Sequence, residues 1–235
     1  MCLFLLGNIC YIREWGVVMF HVDHVFYINL DHAAERRAYV KDIVTRLGLS
    51  SISTRVSGYI TKDEEIPLRF SSNTHGRRSR RRGYFGCTMS HLACYNMAKV
   101  AGYRSFIVLE DDCFLLPGFV ECVKPINNTI LSGDWDLIYP YSSTTRVVGC
   151  NDFGLFRSTG IRRTHFYFVN GRCLDALIFR CDPRIIRERR VSSTGNGIID
   201  RVLEKECRDL MIFGTDKVYA DQGIYHSQML SLARL

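Results

Sequence analysis

The tightest constraint on this 235-residue chain is the stretch Ser105-Phe106-Ile107-Val108-Leu109-Glu110-Asp111-Asp112, an apolar run that ends abruptly in three acids. A strand covered on one side alternates apolar with polar residues, so an unbroken run of this length predicts a parallel strand buried on both faces. The acids then fall at its carboxyl end, the edge of an open α/β sheet where ligands bind. Side chains alternate along a strand, which puts Glu110 and Asp112 on one side and turns Asp111 away. Two carboxylates about 4 Å apart repel by about 4 kcal/mol at an effective dielectric near 20, and a divalent cation converts that repulsion into attraction. An all-oxygen set of Glu110, Asp111 and Asp112 suits a hard ion, Mn2+ or Mg2+, which keeps positions open for substrate phosphates. The bland alternative is a solvated acidic turn.

The flanking sequence reads as α/β. His24 to Leu30 is rich in aromatic and β-branched residues and predicts the first strand. Asp31 is placed to cap a helix whose Val40, Ile43, Val44 and Leu47 recur at helical spacing until Gly48. Ile52, Thr54 and Val56 alternate as a second strand, so the chain opens with a β-α-β unit and a right-handed crossover. From Thr61 to Arg82 the turn residues Pro67, Ser71, Ser72, Asn73 and Gly76 predict a long loop. Its run Arg77-Arg78-Ser79-Arg80-Arg81-Arg82 has three readings: a solvated face, a phosphate-binding lid, or a nucleic-acid patch. A helix is expected from Cys87 to Ala101, with Met89, Leu92, Ala93, Met97 and Val100 as its apolar stripe and His91, Cys94 and Ala98 behind. His91 alone reads as a structural histidine.

Beyond the acids, Trp135 to Tyr139 predicts another strand, and Thr144 to Arg163 a second mobile region. His165 to Val169 resumes the sheet, a helix covers Cys173 to Ile178, and Ser192 to Gly197 forms a flexible joint. A helix with Asp200 in its first turn follows, and Lys217 to Ala220 gives a last short strand. No repeat or second composition regime appears, so a single domain over residues 23–235 is expected.

Composition narrows the setting. The net charge of +7 owes much to the arginine run, so it points to an acidic partner at one place. Ten cysteines lack metal spacing, and several lie in apolar segments, which favours free thiols and a cytoplasmic setting. The sequon Asn127-Asn128-Thr129 leaves a secretory route open. Residues 1–22 are apolar but broken by Arg13 and Glu14, too short for a confident span, and read as a dispensable extension.

Three blocks occur in one order: Phe26 to Asp31 with Glu35-Arg36-Arg37, Gly83 to Leu92, and Val108 to Asp112. Together they resemble glycosyltransferase family 25, which contains bacterial lipopolysaccharide-type and animal collagen galactosyltransferases. Trp135 to Ile138, Thr164 to Tyr167 and Asp200 are weaker echoes, while His32 and Glu35 depart from the family pattern. The resemblance implies a single GT-A type, Rossmann-like domain with a mostly parallel sheet flanked by helices. It implies transfer of galactose or glucose from a UDP-sugar, with inversion, to a hydroxyl on a glycan, lipid-linked or protein acceptor. Glu110, Asp111 and Asp112 would hold Mn2+ or Mg2+ against the diphosphate. Asn29, Asp31 and Arg36 would hold the nucleoside or its phosphates, and Gly86, Ser90 and His91 would line the donor pocket. Asp200 is the expected base, with His165 as its understudy. Nucleic acid is not an expected partner, and peripheral membrane association fits a glycan-building role. The rivals are a nucleic-acid-binding protein using Arg77 to Arg82 and an inactive, lectin-like member.

Overall fold

A computed structural model of the chain describes residues 20–62, 65, 75–141, 147–159, 163–188 and 199–222. The expected β-α-β opening is β1 (His24–Asn29), α1 (Ala34–Arg46) and β2 (Ser53–Ser57), with β1 parallel to β2. α1 buries Val40, Ile43 and Val44 at the predicted spacing, and Gly48 ends it at φ 68°, a left-handed value that favours glycine. Asp31 does not cap α1, which starts at Ala34 without a side-chain cap; its carboxylate is engaged by Arg55 and Ser57 instead.

The remaining elements are α2 (His75–Ala101), β3 (Ser105–Glu110), β4 (Cys113–Leu115), α3 (Val123–Ser132), β5 (Leu137–Tyr139), β6 (Val147–Cys150), β7 (Phe156–Ser158) and β8 (Phe166–Asn170). They continue through α4 (Leu174–Cys181), α5 (Pro183–Glu188), α6 (Ile199–Glu206), β9 (Ile212–Gly214) and β10 (Ala220–Gln222). Eight strands form one sheet in the order β2-β1-β3-β8-β5-β9-β7-β6, and β10 pairs with β4. The pairings make β8 and β7 run against the other six strands, so the sheet is mostly parallel in direction.

β3 is buried on both faces, as its unbroken apolar run requires. Phe106 and Val108 enter one core with Tyr95, Leu177 and Leu203 of α2, α4 and α6. Ile107 and Leu109 enter the other with Ile43 and Ile126 of α1 and α3. Each such side chain contributes about 1.5–3 kcal/mol on leaving water, so this strand anchors both halves. Helices on both faces of a mostly parallel sheet are the α/β architecture expected of a GT-A type domain.

Several expectations need correcting. The arginine run is not in a loop: α2 begins at His75, twelve residues before the expected start, and takes in Arg77 to Arg82. Its buried face is only partly the expected one: Leu92 is buried and Met89 and Ala93 pack against the core, but the face is shifted toward Cys94 and Ala98. Leu92, Cys94, Tyr95 and Ala98 are buried, whereas Met97 and Val100 are exposed, because small residues let the helix lie close on the sheet. The region Thr144 to Arg163 contains the β6-β7 hairpin on the sheet edge. Phe20, assigned to the extension, is buried with its ring against Phe119 and Phe168. Residues 1–19 and the joint Ser192 to Gly197 lie outside the described residues.

The sequon lies in α3 with Thr129 buried, its hydroxyl donating to the Pro125 carbonyl at 2.9 Å, so that threonine serves helix packing. The eight cysteines among the described residues form no disulfide, and most are buried. Among the described residues no helix is long and apolar enough to cross a membrane.

Gly86 shows how α2 is seated. A Cβ there would come 2.4 Å from the Tyr59 carbonyl oxygen, a backbone atom with no room to retreat. Gly86→Ala is expected to destabilise the protein by about 1–3 kcal/mol, the usual effect of overpacking, read as a shift in denaturation midpoint.

Candidate active site

The site forms where β3 ends, and the antiparallel direction of β8 builds it. β8 starts where β3 stops, so Thr164 and His165 arrive beside Glu110, whose amide donates to the His165 carbonyl at 2.9 Å. On the other side, β10 pairs with β4 and brings Gln222 opposite Cys113. Its amide nitrogen donates to Asp112 Oδ2 at 2.7 Å. The first turn of α6 delivers Asp200, whose Oδ1 lies 3.0 Å from the Thr164 hydroxyl.

Ligand atoms of Glu110, Asp112 and His165 all lie within 4.8 Å of one another. His165 Nδ1 is 3.3 Å from Asp112 Oδ1 and 3.9 Å from Glu110 Oε2. Asp112 Oδ1 and His165 Nδ1 are both buried, and beyond this contact with each other neither has a hydrogen-bond partner. Buried polar atoms with so few partners are uncommon in folded proteins, and here the two face each other with Glu110 beside them. Two carboxylates and an imidazole form a donor set that suits Mn2+.

Charge in the cluster is partly balanced already. Burial lowers the His165 pKa, but Asp112, Glu110 and Asp200 outweigh it and carry the imidazole up to about 9. Burial raises Glu110, but the bond to His91 and the nearby His165 pull its carboxyl well below the usual range. Asp200 is raised by burial and then by Glu110. The larger share of the difference between these two acids is the bond from His91, made to Glu110 and not to Asp200; Thr164 lies between the two. Its single hydroxyl hydrogen lies 2.6 Å (oxygen to oxygen) from Glu110 Oε1 and 3.0 Å from Asp200 Oδ1, so it can serve only one. The shorter contact is the one to Glu110.

The acidic triplet divides as strand alternation requires. Asp111 turns away: its Oδ2 accepts from Asn29 Nδ2 at 2.6 Å, and its Oδ1 lies 3.2 Å from Arg36. Burial outweighs both contacts and moves it up, to about 6. Asp111 is therefore held apart from the metal-capable group, and His165 stands in the third position. Around Asp111, the ends of β1 and β2 gather cations. Arg37 Nε and Arg55 Nε donate to Asn29 Oδ1 at 3.0 and 3.2 Å, and Arg55 also pairs with Asp31. Arg36 thus adjoins Asp111 directly, while Arg37 and Arg55 reach it through Asn29.

The three α2 residues expected in a donor pocket have other work. Ser90 Oγ accepts from the Tyr59 amide at 2.8 Å and donates to the Gly86 carbonyl at 2.8 Å, pinning the turn after β2 to the helix. Gly86 provides the space for that turn. His91 is fully buried, with Nδ1 2.7 Å from the Tyr167 hydroxyl and Nε2 3.2 Å from Glu110 Oε1, so both ring nitrogens are engaged within the protein. Sequence reasoning missed Arg55 and Gln222. Arg55 looks like any polar position of an alternating strand, and Gln222 follows the last predicted strand without any motif.

A family model described as glycosyltransferase family 25 (LPS biosynthesis protein) matches residues 22–149, more than half of the chain. The chain belongs to glycosyltransferase family 25. A glycosyltransferase 25 family member from Aedes aegypti is 29% identical over 126 residues, which cover 50% of this chain and 21% of that protein. One from Drosophila pseudoobscura pseudoobscura is 27% identical over 126 residues, covering 50% of this chain and 20% of its own length. The chain thus matches about a fifth of these relatives. Among solved structures, a glycosyltransferase involved in the glycosylation of the major capsid of PBCV-1 aligns at a TM-score of 0.45 and 12% identity, covering 82% of this chain and 81% of that one. A UDP-glucose pyrophosphorylase complexed with UDP-glucose aligns at 0.44 and 8%, covering 90% and 80%. The family 25 span includes Asn29, Arg36 and the acidic triplet, while His165, Asp200 and Gln222 lie beyond it.

Proposed function

We propose that this family 25 chain is a metal-dependent, inverting hexosyltransferase that moves galactose or glucose from a UDP-sugar to a hydroxyl of a glycan or glycoprotein acceptor. The observation that carries the reading is the buried pair Asp112 Oδ1 and His165 Nδ1, which face each other at 3.3 Å beside Glu110 at the carboxyl edge of β3 and have no other hydrogen-bond partner. Glu110, Asp112 and His165 would hold Mn2+, with Mg2+ as the alternative. When bound, the ion supplies countercharge to a diphosphate leaving group. Arg36, Arg37 and Arg55, already oriented by Asp111, Asn29 and Asp31, would bind and align the nucleotide phosphates. Asp200 would accept the proton of the acceptor hydroxyl at its carboxylate, which burial keeps more basic than an exposed aspartate.

A second reading follows from the cationic tendency of His165, in which the imidazolium is itself the countercharge and no metal is needed. Incubation with a panel of UDP-sugars and candidate acceptors, with Mn2+ present or chelated, separates the two by mass spectrometry of the products. Product from UDP-galactose or UDP-glucose only with Mn2+ is the expected result. Turnover that survives chelation supports the imidazolium reading. Protein that neither turns over nor binds UDP in either condition contradicts both and favours a lectin-like or scaffold role.

A further inference from the structure

Behind Glu110 lies a row of buried polar groups that the proposed chemistry does not use. The Tyr95 hydroxyl is 2.7 Å from the Tyr167 hydroxyl, which is 2.7 Å from His91 Nδ1, and His91 Nε2 is 3.2 Å from Glu110 Oε1. Tyr95, Tyr167 and His91 are fully buried. The row crosses from α2 to β8, back to α2 and on to the end of β3, so it ties three elements to one carboxylate oxygen. Stacking holds the rings in place: Tyr139 lies on Tyr167 at 5.4 Å and 14°, and His91 lies on Tyr167 at 5.6 Å and 29°.

Hydrogen accounting assigns the direction of every bond. If His91 Nδ1 carried the hydrogen and Nε2 did not, a lone pair would face the Glu110 carboxylate oxygen at 3.2 Å. A hydrogen on both nitrogens would oblige Tyr167 to donate to Tyr95. The Tyr95 hydrogen would then be stranded, since its hydroxyl has no second partner among the described residues. One arrangement satisfies all four groups: Tyr95 donates to Tyr167, Tyr167 donates to His91 Nδ1, and His91 Nε2–H donates to Glu110.

We infer that Tyr95, Tyr167 and His91 form a one-way hydrogen-bond relay that positions Glu110, fixing His91 as the Nε2–H tautomer and aiming the carboxylate toward Asp112 and His165. A chain of aligned donors ending on an anion strengthens the last bond, and outer partners of this kind set how well a carboxylate serves as a ligand. Tyr167 and Tyr95 are positioning residues here, neither touching substrate. The inference rests on the metal reading for its consequence but not for the relay itself.

The experiment pairs two readouts. Nitrogen-15 spectra of histidine-labelled protein without metal report the His91 tautomer directly. A hydrogen on Nε2 alone supports the relay, while a hydrogen on Nδ1, or on both nitrogens, overturns it. Mn2+ affinity is then measured by electron paramagnetic resonance for the wild type, Tyr167→Phe and Tyr95→Phe. Tyr167→Phe keeps the ring stack and removes the hydroxyl, and its Mn2+ Kd is expected to rise about tenfold, the lower end for loss of an outer partner. Tyr95→Phe, one bond further out, is expected to weaken binding less. An unchanged Kd in a folded Tyr167→Phe overturns the positioning role and reduces the row to core packing. Wild-type protein that binds no Mn2+ sinks the metal reading, and the tautomer spectrum then decides the relay on its own.

Discussion

Asp112→Asn abolishes Mn2+-dependent UDP binding, by at least about a hundredfold in Kd, while leaving the fold intact. The substitution is nearly isosteric, and an Asn carbonyl can still accept the Gln222 bond that now ends on Asp112 Oδ2. What disappears is the charge on Oδ1, the buried atom that faces His165 and has no other partner. Stability is expected to change by less than about 1 kcal/mol because two effects oppose each other. The negative charge attracts His165 at 3.3 Å and repels Glu110, which belongs to the same cluster. At an effective dielectric near 20, each effect is about 4 kcal/mol for a full charge at 4 Å, so the sum is small beside either. Calorimetric titration of UDP with and without Mn2+ checks the binding, and a thermal melt checks the fold. Wild-type affinity in the variant, whatever its stability, contradicts the assignment.

Asp200→Asn lowers turnover about 10²- to 10⁴-fold, the usual contribution of a general base, while UDP affinity changes less than about threefold. The asymmetry follows from geometry. Asp200 reaches the site through the Thr164 hydroxyl and not through the arginines that adjoin Asn29 and Asp111. Asparagine keeps an oxygen for Thr164, so the contact between α6 and the residue before His165 is preserved. The amide removes the ability to take up a proton and little else. Turnover is read from initial rates at saturating donor, and affinity from UDP titration. Equal losses in both would make Asp200 a brace for His165 and pass the proton-accepting role to another group.

Much of this arrangement could be read from the residues alone, for definite reasons. A strand buried on both faces has no polar alternation to hide its limits, so Phe106 to Leu109 announced β3 and the acids marked its end. The period of two then separated Asp111 from Glu110 and Asp112, and the structure keeps them apart. The direction of β8 was not legible, because Phe166-Tyr167-Phe168-Val169 reads the same whichever way the strand runs. That direction brings His165 to the acids, so its place in the cluster was hidden as well. The early start of α2 was masked by Gly76, Gly83 and Gly86, poor helix formers that turn chemistry explains equally well. Gly86 is there because the Tyr59 carbonyl needs the space, a contact that spans the turn after β2 and leaves no local trace. The contacts of Arg55 with Asn29 and of Gln222 with Asp112 span 26 and 110 residues. Such pairings arise from topology, and no spacing rule reports them.

The proposed roles all depend on a divalent ion held between the acids and His165 at the edge of the sheet. Anomalous diffraction from crystals grown with Mn2+ and UDP tests it most directly. One strong manganese peak is expected about 2.0–2.3 Å from Asp112 Oδ1 and His165 Nδ1, near Glu110, with the UDP phosphates reaching toward Arg36. UDP bound with no manganese there, and His165 still facing Asp112 alone, would contradict it.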